Sequence, residues 1–262
     1  MAYSVSPADV PHLQLTRTGF NPTVEDVIDV RSTLTALGIG NNTIPMEIAL
    51  MILSLASYYP RQSNSRQEGA IYVANQFWSS GPWATVTGIY LTLATLSVPS
   101  TTARAKSITF QMRAADQGWA DNGGHGTYHN SHTWFEASIL RPRSEASTAA
   151  VLSNTVMGNF PTPREARDYL RDHGWDMVDR NGVVVWKVHN NITARSVYNS
   201  YRVDWVAGVP TKVDDPQAMG DGQGFLELLR PDDIVVLWAR AEQQAWVNKV
   251  QEATIEIEYE VL

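Results

Sequence analysis

Two patterns of apolar spacing divide the chain near residue 70. Before it, Val24, Val27, Ile28, Leu34 and Leu37 recur at helical intervals. Thr23 can cap this helix, Glu25 and Asp26 suit its positive end, and Gly38 stops it. A second helix opens with Pro45 in its first turn, where a missing N–H costs little, and ends at Pro60. Its run Ile48, Leu50, Met51, Ile52, Leu53, Leu55 is apolar nearly all round, which predicts a buried helix. The two helices form a hairpin, preceded by an irregular lead-in over residues 1–22.

Residues 61–69 (RQSNSRQEG) read as a polar connector. Beyond them the period shortens to two. Segments 89–94, 107–112, 133–140, 183–188, 201–206, 234–240 and 253–261 are predicted strands, by alternation and β-branched content. In the last, Ile255, Ile257 and Tyr259 share one face, and Glu256, Glu258 and Glu260 are expected to face water. One helix interrupts the series at 163–173, capped by Thr162. Strands separated by Gly, Asp, Asn and Pro turns, without strand–helix alternation, predict a mainly β chain. The expected fold is an antiparallel β-sandwich or jelly roll with an N-terminal helical hairpin. The division predicted is 1–69, a helical segment packed on the sandwich, and 70–262, the sandwich itself. The polar loop 211–224 is expected to be exposed and mobile. The aromatic segment Phe77–Trp83 is expected either to pack the hairpin onto the sandwich or to act as a lid.

Composition narrows the functions. A net charge of −7, with no Lys/Arg run longer than a pair, lacks the clustered cations of a phosphate-backbone binder, so no nucleic-acid partner is expected. Cysteine is absent, which excludes thiolate catalysis and zinc–thiolate or iron–sulfur sites held by Cys. The first fifteen residues are polar and broken by Pro7 and Pro11, unlike a signal peptide. The longest apolar stretch, 44–59, carries Glu47 and is too short for a membrane span. A cytoplasmic protein with no membrane partner is the expectation.

Several segments occur in a familiar combination. The stretch from Ile44 to Leu53 with Tyr58-Tyr59-Pro60-Arg61 resembles the helical N-terminal piece of a group of uncharacterised fungal proteins. Its Pro-x-Glu-x-x-x-x-Ile-Leu spacing is loosely F-box-like. Asp116-Gln117-Gly118-Trp119, Gly126-Thr127-Tyr128, Thr133-Trp134-Phe135-Glu136, Arg230-Pro231-Asp232-Asp233, Leu237-Trp238-Ala239-Arg240-Ala241 and Ala245-Trp246-Val247-Asn248 resemble that group's C-terminal module. The resemblance covers roughly residues 24–60 and 106–260. It implies an architecture like that of galactose-binding-like sandwiches and no particular activity.

Candidate chemistry concentrates between Arg113 and Glu136. Asp116, Trp119, Asp121, His125, Tyr128, His129, His132, Trp134 and Glu136 lie there among four glycines. His125, His129 and His132 could offer imidazoles to a metal. However, a His-x3-His pair is a ligand spacing only on a helix, and Gly and Asn argue against one, so no metal is expected. Glu136 inside an aromatic strand, with His132 and Trp134 on its face, is a candidate acid–base group, as is Asp116. The competing reading is a buried ion pair of Glu136 with Arg240. No Gly-x-Ser-x-Gly elbow is present, and 220–224 lacks the Lys-Ser/Thr of a phosphate loop. The tryptophans at 119, 134, 186, 205, 238 and 246 are expected mostly between the sheets, with Trp119 and Trp246 free to stack on a sugar or flat ligand.

The leading expectation is a protein that binds a small molecule or a protein partner through its loop end, without a cofactor. The contact set is Trp119, His125, Tyr128, Trp134, Arg240 and Trp246. The alternative is a cofactor-independent cyclase or isomerase of fungal secondary metabolism using Glu136, His132 or Asp116. A third reading makes the helical hairpin an adaptor contact for a ubiquitin-ligase scaffold, although a full F-box has three helices and two are predicted.

Overall fold

The structure is a computed structural model describing residues 11–39, 42–75, 84–144, 147, 152 and 158–262. The aromatic segment 77–83 lies outside the described residues. Helix α1 (Val24–Ala36) starts where the sequence predicts. Thr23 Oγ1 accepts the Asp26 N–H while the Asp26 carboxylate accepts the Thr23 N–H. This reciprocal cap satisfies two donors that a helix start leaves orphaned. A two-residue pair, β1 (Gly38–Ile39) and β2 (Asn42–Thr43), leads to α2 (Met46–Leu55). Val24 and Val27 of α1 and Leu53 of α2 join the main core. The all-round apolar run predicted a buried α2. Instead only Ala49 and Leu53 are buried, and six large apolar side chains of this helix are exposed.

Ten strands form two antiparallel sheets. In the first sheet the strands are β3 (Arg61–Arg66), β4 (Ala70–Val73), β6 (Ala103–Ala115), β10 (Asn199–Val206) and β12 (Val247–Val261). The second contains β5 (Thr85–Ala94), β7 (Thr133–Pro142), β8 (Trp175–Met177), β9 (Trp186–Asn190) and β11 (Ile234–Glu242). The stretch 61–69, expected as a connector, is therefore largely sandwich. β3 and β4 pair successive parts of one edge of β12, and β8 and β9 likewise share an edge of β7. Treating each shared line as one strand leaves eight. The first, eighth, third and sixth form one sheet, and the second, seventh, fourth and fifth form the other. That order is a jelly roll.

Inter-sheet packing follows the alternation. Phe110, Phe135, Val203, Leu237, Ile255 and Ile257 fill the layer between the sheets, with Trp186 and Trp205. Trp238 is buried elsewhere. It lies on the outer face of the second sheet with Val236 and Leu140, beneath α3 (Ala166–Asp172) and beside Trp175. Its Nε1–H donates to Ser138 Oγ at 2.7 Å. Trp134 also lies on that outer face, so alternation sends these two indoles away from the layer where most were expected.

Two polar segments are better fastened than their composition suggests. Thr16 donates its N–H and hydroxyl to Glu256, each at 2.8 Å, and Leu13 N–H donates to Glu252 at 3.1 Å. Arg113 Nη2–H donates to the Pro11 carbonyl. The lead-in thus runs along the outer face of β12, and Glu256, expected in water, is buried beneath it. In loop 211–224, Ala218 accepts the Asn190 N–H, while Lys187 Nζ donates to the Pro216 and Gln217 carbonyls. Gly222 (φ +65°) sits where a Cβ would come within 2.1 Å of the Trp205 indole. A side chain there would meet both the ring and an unfavourable backbone. A short helix, α4 (Phe225–Leu228), follows directly.

Candidate functional site

Six of the nine predicted residues lie on connections at one end of the sandwich, Asp116, Trp119, His125, Tyr128 and His132 between β6 and β7 and Trp246 in the β11–β12 hairpin, while Trp134, Glu136 and Arg240 lie within β7 and β11. Asp116, immediately after β6, is fully buried. It accepts N–H donors from Gly118 at 2.7 Å, from Arg195 at 2.8 Å, and from Ala194. Burial pushes its carboxyl above the ordinary range, and the three donors pull against that shift. Chemically this group is a post that ties two loops together.

Gln117 extends the fastening. Its side-chain oxygen accepts the Val247 N–H at 3.0 Å, and its amide donates to the Trp119 carbonyl at 2.7 Å. The loop is thereby pinned to β12 on one side and to its own tip on the other. Trp119 remains 44% exposed at that tip, and its ring lies 6.2 Å from buried Trp246. His132 also meets Trp246, edge-on at 4.8 Å. The Gln243 amide lies 2.8 Å from His132 Nε2, an arrangement that suits a neutral imidazole with its proton on Nδ1. Burial lowers the His132 pKa in the same sense.

The other candidates lie apart from this group. Glu136 belongs to the outer face of the second sheet, where one oxygen accepts Trp134 Nε1–H and the other Arg240 Nη1–H, both at 2.9 Å. The Arg240 guanidinium also sits over the Trp134 ring at 4.7 Å. Glu136 is thus held as the ion pair that competed with its acid–base role. Tyr128 packs edge-on against His189, which stacks on Tyr201 at 4.5 Å. Burial raises Tyr128 and lowers His189, and it pushes Tyr201 up to about 12. His125 is exposed, and His129 Nδ1 lies 3.2 Å from the Gln217 amide. Among the described residues, no three His, Asp or Glu side chains converge where they could hold a metal ion.

Comparison with known proteins adds little. No protein-family model matches the chain, and no curated protein matches it. Two crystal structures of BFDV capsid protein share 10% identity with it. A decameric form gives a TM-score of 0.28, covering 77% of this chain and 96% of that one. A 60-mer gives 0.22, with 77% and 93% covered. Likeness this slight carries no argument about function.

The sequence singled out Asp116, Trp119, His132 and Trp246, but not the two amides that organise them. Gln117 lies inside the Asp-Gln-Gly-Trp motif, so a signal was present. Gln243 sits in a hairpin with positive φ at Gln243 and Ala245, which gives no advance sign of an imidazole partner. A separate groove of about 860 Å3 lies at the opposite end, lined in part by Leu96, Val206, Leu226 and Tyr259.

Proposed function

We propose that this chain is a cytosolic recognition protein that binds a flat-faced small molecule, a sugar ring first among them, on Trp119. The observation that carries this reading is an exposed indole held on a fastened loop. Large rings are ordinarily buried, and an exposed one on a mobile loop would lose ordering entropy on binding. Asp116, Gln117 and the backing ring of Trp246 meet that cost in the unbound protein. The neighbouring hairpin exposes Gln244, which can supply hydrogen bonds at the rim. The cyclase or isomerase alternative needs an available proton donor. Glu136, His132 and Asp116 are instead engaged with three different sets of partners. The cytosolic setting follows the cysteine-free sequence, which gives no reason to invoke an oxidising compartment.

Titration with a panel of neutral oligosaccharides, followed by tryptophan emission and calorimetry, tests this reading. A binding member of the panel should quench emission, and Trp119→Ala should weaken it about tenfold or more, the effect of losing one aromatic face. Silence across the panel, or equal affinity in the variant, would remove the proposal.

A further inference from the structure

The margins of the two sheets meet where β3 and β4 face β5. Asn64 and Arg66 donate to the Thr92 and Tyr90 carbonyls at 2.7 and 2.9 Å, and the Tyr90 hydroxyl donates to the Glu68 carbonyl at 3.0 Å. Asn64, Arg66 and Tyr90 also line a cavity of about 360 Å3, within the range of small-molecule sites. Strand β5 is irregular there. Gly88 stands inside it, and its register with β11 shifts so that Ile89 and Leu91 find successive partners while Tyr90 is skipped. Strand glycines and bulges recur where a ligand approaches the backbone.

Four buried tyrosines belong to the main core, and three of their hydroxyls are bonded. Tyr90 donates to Glu68, Tyr201 accepts the Ile192 N–H at 3.1 Å, and Tyr259 accepts the Leu96 N–H at 3.2 Å. Tyr72 is the exception. It is 6% exposed and lines the cavity, yet its hydroxyl has no hydrogen-bond partner among the described residues. A buried tyrosine hydroxyl ordinarily finds one. The ring owes its place to Gly88, where a Cβ would come within 2.4 Å of Tyr72 Cε1 and 2.7 Å of Asn159 Oδ1. Burial pushes the Tyr72 pKa up to about 12 against the pull of the Arg66 charge, so the hydroxyl keeps its proton. Arg66 commits Nη1 to Tyr90, and its Nε lies 4.0 Å from the exposed Glu68 carboxylate. Its Nη2 has no partner, and no Asp or Glu lines the cavity, among the described residues.

We propose that this cavity binds the carboxylate of a small organic acid, whose oxygens accept from Tyr72 and Arg66 while its carbon body lies against Leu91. One cation with no lining acid suits a single negative charge. A phosphate carries more charge than one guanidinium balances, and a neutral amide forfeits the charge-assisted bond. This site lies apart from the Trp119 loop and does not rest on the function proposed there.

Calorimetry on the full chain with butanoate, hexanoate, octanoate and benzoate, each against its primary amide at fixed ionic strength, tests the proposal. At least one acid should bind, about tenfold or more tighter than its amide. Tyr72→Phe and, separately, Arg66→Gln should each weaken that acid about tenfold. Because the hydroxyl is unbonded in the free chain, Tyr72→Phe should leave the urea midpoint unchanged or raised, which separates its effect on binding from one on folding. Silence from all four acids, equal affinity for acid and amide, or unchanged affinity in Tyr72→Phe would overturn the proposal. A lowered midpoint in that variant would overturn it too, since the hydroxyl would then be bonded within the protein.

Discussion

Asp116 shows how much one buried carboxylate can organise. Its two oxygens take three backbone donors from two loops, so replacing it with Asn would aim an amide N–H at donors. Asp116→Asn should lower unfolding stability by roughly 2 kcal/mol, measured by urea denaturation, from the unsatisfied donors alone. The same change should loosen the Trp119 loop and weaken any ligand found for it. His189 and His132 carry a pH dependence. Burial lowers both pKa values below that of the unfolded chain, so the unfolded state binds protons more readily. Stability is then fully present above the unfolded histidine value of about 6.5, and is lost as pH falls below it toward the lowered folded values. Urea midpoints should drop on acidification through that window. His189→Phe, which keeps a ring between Tyr128 and Tyr201, should flatten part of the drop.

At the scale of elements, the sequence was informative wherever one face alone decides burial. Strands β6, β7, β10, β11 and β12 stand where alternation predicts them, and α1 starts at its capping residue. Misplacements arise where a second surface intervenes. Glu256 reads as a water-facing residue because alternation cannot foresee that Thr16, 240 positions away, crosses the outer face and donates to it twice. Residues 61–66 read as a connector because an edge strand, with solvent on one side, tolerates RQSNSR. Segment 183–188 was displaced, with β9 beginning at Trp186. The candidate site was legible as a cluster but not as a geometry, since Glu136 and His132 took different partners despite the shared parity of their positions. Two measurements probe these elements. The amides of Leu13 and Thr16 should exchange slowly despite the polar, irregular sequence around them, as hydrogen-exchange mass spectrometry or NMR would record. Gly222→Ala should cost about 2 kcal/mol or more in urea unfolding, because its methyl meets the Trp205 ring at positive φ.

For the whole molecule, β12 spans the sandwich from one end to the other. Trp246 lies just before its first residue, and Arg31 of α1 reaches the Val261 carbonyl at its last. Among the described residues, no helix is long and apolar enough to cross a membrane. The sheet margins have a consequence of their own. A jelly roll leaves four free strand borders, each a template for adding a foreign strand. Here two of them are split, between β3 and β4 and between β8 and β9. The β5 border is occupied at Thr87 by Phe160, and β10 presents the charged pair Arg202 and Asp204. Among the described residues, open-ended stacking into fibrils therefore meets split, bridged or charged borders as its starting lines.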